Sequence, residues 1–200
     1  MPGFVTLGPG TNHEVAARRY LDFHGVDQAG LSFAGSSAAA VARLRDGTAD
    51  WYILCAVHPS TPEVVGQFHG GIYVVDTFIA PSKPLAILTQ ADVVRPRSIG
   101  LFTPVSGYAD VSAWPERVAI TDGSLVEVGE ALLARRFDSA LVYAELADQH
   151  PGRFRVDAAV ESPDDAWLVL GRTRAAGRDG LIASPAGAVA RALTGSPRLA

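Results

Sequence analysis

Short apolar runs alternate along the chain with alanine-rich stretches, a pattern that predicts strands joined by crossover helices. The strands expected from the apolar runs cover residues 4–7, 30–34, 51–56, 70–79, 85–88, 98–102, 117–121, 139–143, 154–157 and 166–170. The helices expected between them cover residues 12–24, 38–45, 124–136 and 144–150, with a further short helix beginning at residue 103. The sequence therefore predicts an α/β sandwich.

Two lobes are expected, because the segment 81–84, Pro-Ser-Lys-Pro, interrupts the strands and favours a crossing between separate sheets. The lobes predicted in this way cover residues 1–78 plus 154–171 and residues 79–153. The remaining tail, residues 172–200, is rich in Gly, Ala, Arg and Pro and is expected to hold at most one helix, around residues 185–193.

Small polar residues open a helix at three places where a predicted strand ends. These residues are Thr11 and Asn12, Thr103 and Ser106, and Ser124. A helix N-terminus offers unpaired N–H groups and a partial positive charge, so several of them facing one cleft can hold a carboxylate without many basic side chains. Taken singly, each of these residues is better explained as a helix cap.

The opening segment, residues 5–17, resembles the start of prephenate dehydratases, in which a strand leads into G-P-x-G-T followed by a Glu; here the motif is one residue shorter. Residues 46–51 are similar to the "G-x-A-D" of that family, and residues 138–147 to its "D-x-A-A-I-A-x-x-x-A". The resemblance covers most of residues 4–171. It implies a two-lobed fold like that of type II periplasmic binding proteins, with a central ligand cleft and no C-terminal ACT domain.

Two departures from the dehydratase pattern bear on the reaction. The T-R-F motif of the family is replaced by Ala166-Trp167-Leu168, and its "P-x-E-N-S" segment by residues 56–60, which include His58. In both features the chain is more similar to the prephenate decarboxylases of the bacilysin pathway. That resemblance implies a carbon–carbon lyase that decarboxylates prephenate, or a close cyclic dicarboxylate, without aromatisation, in antibiotic or other specialised metabolite biosynthesis.

The chemistry explains why these departures matter. A dehydratase needs an acid beside the ring hydroxyl of prephenate, whereas a non-aromatising decarboxylase needs one beside the ring. An alanine in place of the threonine would remove the first acid, and Trp167 would make the wall of the site drier. Two alternatives stay open: a dehydratase with a relocated acid, which gives phenylpyruvate, and a non-catalytic module that binds a small acid.

Histidines are the candidate proton donors, because an imidazole titrates near neutral pH. His58 follows a central strand, where α/β sheets present ligand residues, and His13 lies in the first turn of a helix; an ordinary loop histidine is the alternative for His58. Ser60, Trp167 and Lys83 are candidate substrate-binding residues, with a solvated turn lysine as the alternative for Lys83. Tyr143 could bind a ligand or simply pack.

Charge and composition narrow the partners. A net charge of −4 with scattered basic residues argues against nucleic acid, and the single cysteine, Cys55, lies in an apolar run with no disulfide partner. No histidine pair has metal-site spacing, and no cofactor is expected. We expect a small organic acid as the ligand, no membrane contact, a cytoplasmic location and, as is common among such enzymes, a homodimer.

Overall fold

The computed structural model describes residues 3–121 and 123–174. Its strands are β1 (Phe4–Leu7), β2 (Leu31–Ala34), β3 (Trp51–Cys55), β4 (Tyr73–Pro81), β5 (Leu85–Gln90), β6 (Ser98–Phe102), β7 (Glu116–Ile120), β8 (Ser139–Tyr143), β9 (Phe154–Val160) and β10 (Asp164–Gly171). Its α-helices are α1 (Asn12–Phe23), α2 (Ser37–Asp46), α3 (Thr61–Val65), α4 (Leu125–Leu133) and α5 (Glu145–Gln149). Short 3₁₀ helices cover Gln28–Gly30, Gly66–Gly70 and Thr103–Tyr108.

The strands form two five-stranded mixed sheets, one in each lobe. The first has the order β2-β1-β3-β10-β4 and the second the order β7-β6-β8-β5-β9. In both, the three strands at one side run parallel, while the long strands β10 and β5 run antiparallel to their neighbours. The predicted two-lobed α/β architecture is therefore confirmed.

The chain crosses between the lobes twice, and the two crossings lie side by side. The first crossing follows β4 and the second joins β9 to β10. The backbone N–H of Ser82 in the first crossing donates to the carbonyl oxygen of Pro163 in the second at 3.0 Å, and the Ser162 hydroxyl donates to the carbonyl oxygen of Ser82. These bonds tie the two connections into one hinge.

The lobe boundaries differ from the sequence-based ones at β9. Residues 154–157 were expected in the first lobe, but β9 pairs with β5 in the second sheet, and only β10 returns to the first. The alternation of polar and apolar residues in a strand predicts which face is buried. It does not predict which strand, or which sheet, the strand pairs with. The helix expected around residues 185–193 lies outside the described part of the chain.

Both faces of the first sheet are covered by helices. Tyr52 and Val5 pack on the side of α2, whereas Ile53 and Phe4 pack on the side of α1. Cys55 is buried at the end of β3, as its apolar surroundings predicted. Within the described ranges, no helix is long and apolar enough to cross a membrane.

Candidate functional site

A cleft of about 1600 Å³ lies between the lobes. The first lobe contributes the N-terminal ends of α1 and α2 and the loop after β3, and the second contributes the 3₁₀ segment Thr103–Tyr108 and the start of α4. Asp165 and Trp167 of β10 line it where the chain returns to the first sheet. This arrangement follows from the topology, because helix starts and strand ends of both sheets face the same gap.

Most of the predicted site residues line this cleft. They are Thr11, Asn12, His13, His58, Ser60, Ser124 and Trp167. Thr103, Ser106 and Lys83 are absent from the lining, whereas Pro104, Val105 and Tyr108 contribute to it. The convergence of the helix openings around residues 11 and 124 on one cleft, which the sequence predicted, is thus present in the fold.

Thr103 and Ser106, predicted as ligand residues, lie outside the cleft lining, because their segment forms a 3₁₀ helix. The Thr103 hydroxyl donates to the carbonyl oxygen of Ile120 at 3.2 Å, and the Ser106 hydroxyl donates to that of Thr103 at 2.9 Å. A 3₁₀ helix has three residues per turn, which aligns residues three apart on one side. Both hydroxyls are therefore occupied, and the intervening apolar residues line the cleft.

Lys83 lies outside the cleft lining and joins the two lobes instead of extending into solvent. Its ammonium donates to the carbonyl oxygen of Gly10 at 2.7 Å, forms an ion pair with Glu145 and lies 4.2 Å from the centre of the Tyr143 ring. The side chain is only 10% exposed. These contacts bring the start of α1 against the second lobe.

Asn12 also joins the lobes, although it lines the cleft. Its Oδ1 accepts from the backbone N–H of Lys83 at 2.8 Å, and its Nδ2 donates to the Ser82 hydroxyl at 3.0 Å. Its backbone N–H donates to the Tyr143 hydroxyl oxygen at 3.2 Å. The Tyr143 hydroxyl therefore keeps its own proton for another acceptor, and burial raises the pKa of Tyr143 to about 12.

The N-termini of α1 and α4 differ in whether the preceding side chain is already used as a helix cap. The Thr11 hydroxyl accepts from the His13 N–H at 3.2 Å and donates to the carbonyl oxygen of Gly8 at 2.7 Å, so Thr11 acts as a cap. Ser124 precedes α4 without a side-chain capping bond. The Ser124 hydroxyl is therefore not used as a cap, although the Glu127 carboxylate lies in the first turn of the same helix.

His13 is enclosed by aromatic rings. Its ring lies edge-on to Trp167 with centroids 5.1 Å apart and to His58 with centroids 5.4 Å apart, and its Nε2 accepts from the backbone N–H of Cys55 at 3.4 Å. Burial, together with a smaller contribution from the neighbouring His58, lowers the pKa of His13 to about 3. His13 is therefore neutral at pH 7 with its proton on Nδ1.

His58 is also neutral near pH 7, because burial lowers its pKa. Its Nδ1 accepts from the backbone N–H of Ser60 at 3.2 Å and lies 2.7 Å from the Ser60 hydroxyl. Accepting on Nδ1 places the ring proton on Nε2. The two histidines thus present N–H donors in a site where neither carries a charge.

Asp165 is a cleft residue that the sequence pattern did not single out. Along β10 the side chains of Asp165 and Trp167 face the cleft, while Ala166 between them is exposed and lies outside the lining. The sequence comparison placed Ala166 where the family has its threonine, whereas the β10 side chain that lines the cleft beside Trp167 is the Asp165 carboxylate. Side chains two residues apart on a strand face the same side, so a strand with Trp167 in the cleft predicts Asp165 there as well.

The Asp165 carboxylate accepts from the Ser82 hydroxyl of the hinge. Burial raises the pKa of Cys55 and of Tyr108, and the nearby negative charge of Asp165 raises both further. Two residues further along the same face of β10, Trp167 is 1% exposed, and its Nε1 has no hydrogen-bond partner among the described residues. A buried donor without a partner costs about 1–3 kcal/mol, so a ligand acceptor at this wall would be stabilising.

The charged groups of the lining are mostly acidic. The carboxylates are Asp46, Glu63, Glu127, Asp164 and Asp165, and the basic residue in the lining is Arg45, whose guanidinium binds the Gln67 side chain. Helix N–H groups and Arg45 are therefore the partners that the described lining offers to an anionic ligand. The described part of the chain contains no group of three or more side chains suited to a metal ion.

Comparisons with known proteins find the fold but no close relative. No protein family profile matches the chain, and no curated protein matches it. Among solved structures, a prephenate dehydratase from Arthrobacter aurescens in complex with L-Phe aligns with a TM-score of 0.64 at 14% identity, over 89% of this chain and 63% of that one.

Two further structures align in the same way. The prephenate dehydratase from Staphylococcus aureus subsp. aureus Mu50 has a TM-score of 0.58 at 12% identity, over 86% of this chain and 67% of that one. GqqA, described as a quorum-quenching acylase, has a TM-score of 0.56 at 14% identity, over 86% of this chain and 65% of its own. Identities this low establish the fold alone, so the chain has a prephenate dehydratase-like fold of the type II periplasmic-binding-protein kind.

Proposed function

We propose that the protein is a cytoplasmic carbon–carbon lyase that removes carbon dioxide from prephenate, or a close cyclic dicarboxylate, without aromatising the ring. The fold shared with prephenate dehydratases supports a ligand of this class. The sequence features shared with bacilysin-pathway decarboxylases support the reaction and a place in specialised metabolite biosynthesis.

The observation that carries the proposal is the cluster of His13, His58 and Trp167 in the cleft. Both imidazoles are neutral at pH 7 because burial lowers their pKa values, and the indole closes the wall beside them. Neutral imidazoles and a buried indole beside the departing carboxylate favour its loss as neutral carbon dioxide. The opposite end of the cleft, at Ser124 and α4, holds the second carboxylate of the substrate.

The proposed step balances as follows. The bond between the quaternary ring carbon and its carboxylate breaks, carbon dioxide leaves, and one proton is added to a ring carbon while the hydroxyl is kept. His58 donates its Nε2 proton to the ring carbon, as a neutral imidazole can in a dry site, and the resulting imidazolate regains a proton from water. Asp165 accepts a hydrogen bond from the ring hydroxyl and so retains it.

Asp165 also supports a second candidate function, a dehydratase with a relocated acid. A protonated carboxyl at this position would donate to the ring hydroxyl, which would leave as water together with carbon dioxide and give phenylpyruvate. The position is suitable because the side chain lies on the cleft face of β10, next to Trp167.

Incubation of the purified protein with prephenate separates these functions. Absorbance detects phenylpyruvate, and NMR detects the dihydro-hydroxyphenylpyruvate that decarboxylation alone would give. The proposal expects the dihydro product, with a loss of about 10²–10⁴-fold in turnover for His58→Ala and no loss for His24→Ala, an exposed histidine outside the lining. Phenylpyruvate as the product, lost in Asp165→Asn, would establish the dehydratase instead.

A non-catalytic outcome has its own signature. Prephenate that stays intact in the presence of the protein, but binds to it in calorimetry, would make the protein a small-acid-binding module. Unchanged turnover in His58→Ala would remove His58 from the mechanism.

A further inference from the structure

A chain of hydroxyl groups runs from the core of the first lobe to His58. Tyr52 of β3 is fully buried, and its hydroxyl donates to Ser37 Oγ at 2.9 Å. Ser37, the first residue of α2, is 7% exposed, and its Oγ is hydrogen-bonded to Ser60 Oγ. Ser60 Oγ lies 2.7 Å from His58 Nδ1. The hydroxyl of Ser60 therefore connects β3 and α2, through Tyr52 and Ser37, to one ring nitrogen of His58.

The direction of this chain is set at its buried end. Within the described part of the protein, the hydrogen bond of the Tyr52 hydroxyl is the one to Ser37, and a buried hydroxyl proton without an acceptor is costly. Tyr52 must therefore donate. Ser37, having accepted, donates to Ser60, and Ser60 donates to Nδ1 of His58, where the Ser60 backbone N–H also points at 3.2 Å.

We propose that Tyr52 is a positioning residue, which acts through Ser37 and Ser60 to hold His58 as the tautomer with its proton on Nε2, the nitrogen left for a ligand in the cleft. The catalytic consequence rests on the proposed lyase function, in which His58 supplies that N–H. The hydrogen bonding itself exists in the free protein and can be measured there.

The same chain opposes protonation of His58. An imidazolium would carry a proton on Nδ1 as well, and this proton would face the donating hydroxyl of Ser60. Burial lowers the pKa of His58 in the same direction. The titratable side chain in ring contact with His58 is His13, which is neutral, and Glu63 of α3 and Asp165 of β10 line the same cleft.

The test is ¹⁵N NMR of the histidine rings in the free protein. In Tyr52→Phe the hydroxyl chain can reverse, so the ratio of the Nε2–H to the Nδ1–H tautomer of His58 should fall by roughly two- to tenfold, the worth of one neutral hydrogen bond. The pKa of His58 should also rise. The matched control is Tyr20→Phe, which removes a hydroxyl bound to Asp76 outside the cleft.

A second variant keeps the test decisive if Tyr52→Phe fails to fold. Ser37→Ala cuts the chain between Tyr52 and Ser60 and should change the His58 signals in the same direction. Unchanged His58 tautomer and titration in a folded Tyr52→Phe or Ser37→Ala protein would overturn the proposal. Because these signals are read without substrate, failure of prephenate turnover would refute the lyase function and leave the positioning role standing.

Discussion

Acidification should destabilise the protein through His13 before most carboxylates titrate. The pKa of His13 is lowered from 6.5 to about 3, mainly because the ring is buried and also because His58 is near. Between these two values the unfolded chain binds a proton that the folded protein does not, so stability rises with pH across this window and is lost as pH falls from about 6.5 towards 3.

The expected size of the effect follows from the two pKa values. Lowering the pH from 7.5 to 5 removes about 2 kcal/mol of unfolding free energy through this one group, and the full window is worth no more than about 5 kcal/mol. Many domains of this size are stable by only about 5–15 kcal/mol, so the loss at pH 5 is a substantial fraction of the total.

The assay compares the wild type with His13→Gln, which keeps an acceptor for the Cys55 N–H but does not titrate. Urea unfolding at pH 7.5 and pH 5, followed by tryptophan fluorescence, measures the unfolding free energy. The wild type should lose about 2 kcal/mol more than the variant, whereas a His24→Gln control should lose as much as the wild type. Equal losses in wild type and His13→Gln would refute the assignment of His13 as a buried neutral group.

Three further predictions follow from the contacts. If neutral His58 supplies the N–H, kcat/KM for prephenate should be level above pH 7 and fall as the pH drops through the lowered pKa of His58; a rate that rises on acidification would contradict this. Gly100→Ala should lower stability by about 1–3 kcal/mol in thermal unfolding, because its Cβ would lie 2.3 Å from the Phe137 ring, and an unchanged Tm would count against the packing. Lys83→Met should lower the urea midpoint by the equivalent of about 1.5–3 kcal/mol by breaking bonds between the lobes, while wild-type stability would mean that they contribute nothing.

The helix openings illustrate what local sequence can predict about the site. Thr11 and Ser124 stand before helices in the sequence and do line the cleft, because a strand followed by a helix start is a local feature. Thr103 and Ser106 have the same local signature but lie in a 3₁₀ turn that directs their hydroxyls to backbone carbonyls. The two pairs share the same residue types and the same position after a strand. They differ only in the geometry of the helix that follows.

Strand β10 shows the same limit of local sequence for the cleft lining. Trp167 was expected to line the site, but Asp165, two residues earlier on the same face, was overlooked in favour of Ala166. The role of Lys83 was also hidden, since its partners Gly10 and Glu145 lie 73 and 62 residues away along the chain. Contacts at such separations depend on how the lobes meet.

The sequence alone was enough to predict the α/β class, two lobes with a crossing at residues 81–84, the starts of α1, α2, α4 and α5 to within a residue and the burial of Cys55, because alternation, caps and breakers act over a few residues. Tertiary structure alone decided that β9 belongs to the second sheet, that Asp165 faces the cleft and that Tyr52 reaches His58 through two serines. These features depend on which distant strands pair and which side chains then share a buried space, and the energy of such contacts exists only once the chain has closed on itself.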